Sequence, residues 1–238
     1  MAAADGDHVI ARVEALDLTR AYRRRFALRK ACFTMDSGTI TAVIGHNGAG
    51  KTTAFNLMAR RIKPTSGTVL FDGREATHAQ EHRRACGFLS HHSFLYSALS
   101  ARENLQLVAD LYRLPDADAR ITDVLERIGL SSTGIRAVQV FSRGMVQRLA
   151  LGRLLLVDPD VWLLDEPASG LDQGGRNWLS DEVRRLAGRG KILALSSHSR
   201  TLVSSLATHA VVLSKGRVVF SGPVADGDVE RLFAEYIG

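Results

Sequence analysis

A chain of 238 residues can bury the core of one large domain, and its hydrophobic share of 45% with a mean hydropathy of −0.02 is ordinary for an α/β protein. No apolar run approaches the ~20 residues of a membrane helix, and Met1-Ala2-Ala3-Ala4-Asp5-Gly6-Asp7 lacks a basic stretch leading into an apolar core, so neither a membrane span nor a signal peptide is expected. The net charge of +6 rests on 31 basic residues, 26 of them arginine, scattered without the aromatic-interleaved motif of a nucleic-acid module, and no nucleic-acid partner is expected.

Residues 9–18 and 26–35 alternate apolar and polar, which predicts two antiparallel strands. They are joined by Tyr22-Arg23-Arg24-Arg25-Phe26, a solvated basic turn that is also compatible with anionic lipid headgroups. Cys32 and Cys86 stand among apolar neighbours and are expected to pack as small buried hydrophobes, as in a reducing cytosol. Asp36-Ser37-Gly38 is a turn, and residues 39–44 form a short β-branched run that reads as a buried strand.

The next stretch organises the rest. Gly45-His46-Asn47-Gly48-Ala49-Gly50-Lys51-Thr52-Thr53 fits GxxxxGK(S/T), and residues 52–61 read as a helix without a breaker. A bare match would be a glycine-rich turn; a strand before it and a helix after it make an anion site. Glycines let backbone N–H groups close on phosphate oxygens, and the helix dipole favours negative charge. In such a loop Lys51 reaches the β- and γ-phosphates, and the Thr52 hydroxyl ligates Mg²⁺.

Lys63-Pro64-Thr65-Ser66-Gly67 ends the helix, residues 68–71 form a strand, and Asp72-Gly73 is a hairpin turn. A short strand is expected at 84–90. The pattern then turns helical over roughly 91–157. Ser100-Ala101-Arg102-Glu103 is a capping box opening a helix to about Tyr112, a second helix runs from Pro115-Asp116 to near Gly129, and a third runs from Ser142 to about Val157. The last third alternates strands at 161–164, 191–196, 208–214 and 217–221 with helices at about 172–188, 200–207 and from Asp226. The expected fold is a single α/β domain over 1–238, a mixed sheet flanked by helices, with an antiparallel β-subdomain at the N-terminus and a helical insert.

Two further constellations bear on phosphate. Val161-Trp162-Leu163-Leu164 is an apolar strand ending in Asp165-Glu166, and open α/β sheets bind ligands beyond the carboxyl ends of their strands. One carboxylate can hold Mg²⁺ and the next can deprotonate an attacking water; alone, the pair would more often cap a helix. Phe141-Ser142-Arg143-Gly144-Met145 opens a helix whose N–H groups also suit phosphate, although elsewhere Ser142 would be a plain cap. Helix 142–157, about 24 Å long, feeds the strand bearing Asp165, so its N-terminus points away from the chain's own phosphate loop. A head-to-tail pair of chains would place it over the partner's nucleotide.

Over essentially its full length, the chain resembles the nucleotide-binding subunit of an ABC transporter, a P-loop NTPase. The resemblance identifies 45–53 as the phosphate loop, with Gly45, Asn47, Gly48, Gly50, Lys51, Thr52 and Thr53 at the nucleotide. It makes Asp165 the end of Walker B, Glu166 the catalytic glutamate, and 141–145 the signature LSGGQ, here FSRGM. Ser169-Gly170-Leu171-Asp172 matches the D-loop, His198 the switch histidine, and Tyr22 the aromatic that stacks on adenine. A lone His198 would more often be structural. The family glutamine aligns with His91, implying a catalytic and Mg²⁺-holding role whose geometry differs from a carboxamide; His46 replaces a proline, and Arg143 and Met145 alter the signature while Ser142 and Gly144 remain.

The resemblance implies Mg²⁺ and ATP as cofactors, a homodimer or a pair with a homologous subunit, and separate membrane subunits at the cytoplasmic face of the membrane. Phe94, Leu95 and Tyr96 fall where a membrane subunit's helix would dock. His91-His92-Ser93-Phe94-Leu95-Tyr96, then 101–105 and 141–151, look most like the heme-export ATPases of cytochrome c maturation; exporters of drugs, lipids or polysaccharides are the alternative. A soluble relative acting on ribosomes or DNA is disfavoured by a single cassette without long coiled coils, and a GTPase by the lack of Asn-Lys-x-Asp.

Overall fold

The computed structural model describes residues 9–23, 25–75, 84–90, 93–225 and 227–237. Two sheets share the work. Strands β1 (Arg12–Tyr22), β2 (Arg25–Asp36), β4 (Ser66–Phe71) and β5 (Arg74–Glu75) form an antiparallel sheet in the order β2-β1-β4-β5. Its β4–β5 hairpin turns at Asp72 and Gly73, whose φ values of 49° and 73° are those of a two-residue primed turn. The second sheet is mixed, in the order β10-β9-β3-β8-β7-β6, from β3 (Ile40–Ile44), β6 (Cys86–Leu89), β7 (Val161–Asp165), β8 (Ile192–Ser196), β9 (His209–Ser214) and β10 (Arg217–Pro223). Every pair in it is parallel except β9–β10.

The central strands β3, β7 and β8 are buried at all five positions, because both faces of this sheet are covered. The two-residue period of a strand sends successive side chains to two different cores. Val161, Leu163, Ile192 and Ala194 pack with α1 (Lys51–Met58) and the antiparallel sheet, while Trp162, Leu164, Leu193 and Leu195 pack with the helices on the other face. A slip of one residue in β7 would exchange Trp162 for Val161 in the wrong core, so the register at Asp165 is fixed by packing.

Between β6 and β7 the chain runs through α2 (Ala101–Tyr112), α3 (Ala117–Arg127) and α4 (Arg143–Val157). The capping box opens α2: the Ser100 hydroxyl accepts the Glu103 amide at 3.2 Å, and the Glu103 carboxylate accepts the Ser100 amide at 2.7 Å. After β7 come α5 (Gln173–Gly188), α6 (Arg200–Leu206) and α7 (Asp228–Tyr236).

Three expectations need correction. The first helix ends at Met58 rather than near Arg61, because Arg60 turns left-handed at φ 55°. The strand expected at 84–90 spans only Cys86–Leu89. Cys32 is exposed on β2, where strand alternation turns it outward and its sulfur accepts the Asp17 amide at 3.2 Å; Cys86 is half-buried, and burial pushes its thiol up to about 12.

Candidate nucleotide site

The loop between β3 and α1 takes its shape from three glycines. Gly45, Gly48 and Gly50 all have positive φ; a Cβ on Gly45 would lie 2.4 Å from the Leu213 carbonyl oxygen, and Gly50, at φ 113°, admits no side chain either. A Cβ there would lie 2.5 Å from the Ala27 carbonyl oxygen of β2. The loop is thus pressed between two elements: Gly216 of the β9–β10 turn donates its N–H to the Ala49 carbonyl at 3.0 Å, and the Gly216 carbonyl accepts from Arg29 at 2.7 Å. The helix starts at once. Ala54 donates to the Gly50 carbonyl at 2.8 Å, so the N–H groups of the first turn have no acceptor within the helix and carry its positive dipole end.

Lys51 folds back over this loop, its ammonium 2.7 Å from the Gly45 carbonyl and 3.2 Å from that of His46. Burial pushes its pKa down, and the Glu166 and Asp165 carboxylates oppose the shift. The cation is therefore held beside the loop by weak acceptors that a phosphate oxygen can replace with stronger ones.

The end of β7 faces it. Asp165 is buried, with one carboxylate oxygen accepting the Thr52 hydroxyl at 2.6 Å and the other accepting the Ser196 hydroxyl at 2.5 Å. Among the described residues no group of three histidine, cysteine or acidic side chains could enclose a metal ion. Two hard oxygen ligands, Thr52 and Asp165, are instead what a small divalent cation needs when waters and substrate phosphates supply the rest, and so they fit Mg²⁺ arriving with a nucleotide.

Glu166 has the left-handed backbone, φ 53°, at the mouth of the same cleft. One of its carboxylate oxygens accepts the His198 amide at 3.3 Å. The other, buried without a hydrogen bond, lies 3.5 Å from His198 Nε2. An unpartnered carboxylate oxygen beside a phosphate loop is suited to accept a proton from water, and a strained backbone at such a residue persists only where its surroundings fix it. The Glu166 amide is in turn held by the Ser196 carbonyl at 3.1 Å.

These residues line one cleft of about 790 Å³. His46, Asn47, Gly48, Gly50, Lys51, Thr52, Thr53, Asp165, Glu166 and His198 are all on its wall. Tyr22 stands at its rim, 49% exposed, with the Arg20 guanidinium 4.5 Å from its ring centroid. Gly45 lies under the loop, its carbonyl on Lys51. His91 is outside the described residues.

Ser142, Gly144 and Asp172 are somewhere else. They line a second hollow of about 220 Å³, together with Met145, Arg148 and Gly170, and it shares no described residue with the first. Ser142 caps α4 by accepting the Met145 amide at 3.2 Å, and Asp172 caps α5 by accepting the Gly175 amide at 2.7 Å. A Cβ on Gly144 would come within 3.0 Å of the Gly170 carbonyl, so the two helix starts abut.

Sequence reasoning missed several residues that shape or line the cleft. Ser196 grips Asp165 from the neighbouring strand, and parallel pairing of Asp165 with Ser196 brings them together. Gln147 donates to the Pro167 carbonyl at 2.9 Å, tying α4 to the turn after Glu166. Arg25, Phe26 and Lys215 line the cleft from β2 and the β9–β10 turn. No motif marks them, because only the sheet order brings those turns to the loop.

A family model described as ABC transporter matches residues 28–169. The ABC transporter ATP-binding protein NatA of Bacillus subtilis is 33% identical over 200 residues, which is 82% of this chain and 81% of that protein. The daunorubicin resistance ATP-binding protein DrrA3 of Streptomyces coeruleorubidus is 35% identical over 219 residues, 89% of this chain and 68% of that one. A solved structure of the ATP-binding subunit of an ABC transporter superposes with a TM-score of 0.84 at 28% identity, covering 95% of each chain.

Proposed function

The chain belongs to the ABC transporter family of ATP-binding subunits, ATPases whose work is transport, and from that premise we propose that two copies close head to tail on two molecules of MgATP. Each nucleotide lies between the phosphate loop of one chain and Ser142, Gly144 and Asp172 of the other. The observation that carries this reading is that the two hollows are lined by different residues: a second set of helix-start N–H groups, outside the chain's own phosphate-loop cleft, is completed by a second molecule.

In this assembly the first-turn amides of α1 and Lys51 hold the β- and γ-phosphates, and Tyr22 stacks on adenine. Thr52 and Asp165 would hold Mg²⁺, which would supply positive charge for the phosphate oxygens. Glu166 takes the proton of the attacking water, and His198 steadies the γ-phosphate and keeps the Glu166 carboxylate in place. His91 is assigned to the same water and Mg²⁺ from its place in the sequence. Hydrolysis removes the phosphate that bridges the chains, and the pair reopens.

The test is hydrodynamic. Glu166→Gln holds ATP unhydrolysed, so with saturating MgATP its mass in solution doubles from the 25.9 kDa of one chain. A variant that binds nucleotide and stays monomeric, alone and with its membrane subunits, overturns the head-to-tail pair.

No helix among the described residues is long and apolar enough to cross a membrane. We place the chain on the cytoplasmic face, held to separate membrane subunits through Phe94, Leu95 and Tyr96; Phe94 and Tyr96 are 50% and 65% exposed. The direction is export, and the cargo is heme for cytochrome c maturation, a reading supported by the resemblance of 91–96, 101–105 and 141–151 to that branch. DrrA3 is named for resistance to a drug, which is the competing cargo class. Deleting the coding sequence should abolish covalently bound heme in c-type cytochromes and Glu166→Gln should fail to restore it; normal c-type heme in the deletion sinks the cargo assignment.

A further inference from the structure

A column of aromatic rings and one cation runs from the phosphate-loop helix to the surface. Phe55 of α1 meets Phe88 of β6 edge to face, ring centroids 6.2 Å apart at 68°. The guanidinium of Arg61 lies 5.4 Å from the Phe88 centroid and 4.6 Å from that of Phe94, between the two rings. Arg61 is fastened to the same helix, since its amide donates to the Asn56 carbonyl at 2.9 Å.

Phe94 is an unusual residue to find at the end of this column. Its backbone is left-handed, φ 51°, in a conformation that a bulky side chain adopts only when its neighbours impose it. The neighbours are identifiable. Arg153 of α4 reaches across to donate to the Ser93 carbonyl at 2.6 Å and to the Phe94 carbonyl at 3.2 Å, and burial pushes its own pKa down. Asn104 of α2, 3% exposed, accepts the Tyr96 amide at 2.8 Å and donates to the Tyr96 carbonyl at 3.0 Å. Helices α2 and α4 thus hold the backbone of this segment. The side chain of Phe94 meets the cation of Arg61, which lies just beyond the end of α1 and is tied back to it by its amide.

We propose that Arg61 is a positioning residue that couples filling of the nucleotide cleft, through α1, to the orientation of Phe94. An eight-residue helix, about 12 Å long, behaves as a short rod. Phosphate binding at Lys51 settles its start, and Arg61, just past its far end and tied to it through the Asn56 carbonyl, carries the displacement to the ring stacked upon it. A guanidinium is suited to this because it is planar, stays charged and stacks on two faces at once. The inference rests on the reading of 94–96 as the surface offered to the membrane subunits, and it supplies the link between that surface and the site of hydrolysis. The plainer alternative is an arginine that merely covers apolar surface with its stem.

Amide hydrogen exchange on the full chain separates the two. In the Glu166→Gln background, saturating MgATP should slow exchange by about tenfold or more at both 45–53 and 93–99. Adding Arg61→Ala should leave the slowing at 45–53 and abolish it at 93–99, and Arg61→Lys should restore part of it, as a cation without the planar stack. An arginine that only covers surface predicts the same nucleotide response at 93–99 in all three proteins, and that result overturns the proposal. A response at 45–53 with none at 93–99 in the parent also overturns it. No response at 45–53 in the parent instead removes the nucleotide-binding reading on which it stands.

Discussion

Glu166→Gln is expected to lower ATP turnover by about 10²–10⁴-fold while MgATP still binds, the range attributed to a positioned general base. The substitution is nearly isosteric. A carboxamide oxygen can still accept the His198 amide, now 3.3 Å from the carboxylate, so the turn that carries residue 166 has no reason to move. What disappears is the second carboxylate oxygen, the buried one with no hydrogen bond, which is the atom free to take a proton from water. His198 Nε2 is 3.5 Å from that oxygen, and His198→Ala should also lower turnover by removing the group that orients it. Phosphate release in a single turnover, set beside equilibrium nucleotide binding, distinguishes a lost base from a lost site. A Glu166→Gln chain that hydrolyses ATP at the parental rate would show that another group activates the water.

The phosphate loop, β7 and the signature helix were legible in the sequence because each is specified locally. A glycine pattern bounded by an apolar strand and an unbroken helix has few other structural solutions, and a capping Ser142 marks its own helix start. Long-range relations were less legible. That Ser196 would share Asp165 with Thr52 depends on β7 and β8 being parallel and in one register, which no residue of either strand announces. Cys32 was misplaced for a related reason. Its apolar neighbours suggest burial, but on a strand of an outer sheet the alternate positions face solvent, and bulges between Ala15 and Leu18 and between Leu18 and Arg20 interrupt the simple count. The Arg61 column joins residues 55, 61, 88 and 94, four positions with no shared period, so only the packed structure reveals it.

Gly50→Ala should weaken nucleotide binding severely, whereas Gly48→Ala, two residues earlier, should weaken it only modestly. Both positions have positive φ, 113° and 77°, so both pay the cost of a side chain in a left-handed conformation, about 1–2 kcal/mol. Their surroundings differ. A Cβ on Gly48 meets nothing within 4 Å, while one on Gly50 would sit 2.5 Å from the Ala27 carbonyl oxygen and 3.3 Å from a Leu28 methyl. That oxygen belongs to β2, which is paired along β1, so it cannot retreat without disturbing the antiparallel sheet. The loop must move instead, at a further cost of about 1–3 kcal/mol for overpacking. Movement here is felt at the phosphate site directly, because residue 50 is the cap of α1 and the next residue is Lys51. Together the two terms amount to roughly 2–5 kcal/mol, about 30- to several thousand-fold in affinity if they fall on the binding-competent loop. Titration of each variant with MgATP, alongside its thermal unfolding, reads the two effects apart. Equal affinities for Gly48→Ala and Gly50→Ala would mean that contact with β2 does not shape the loop, and that its glycines serve conformation alone.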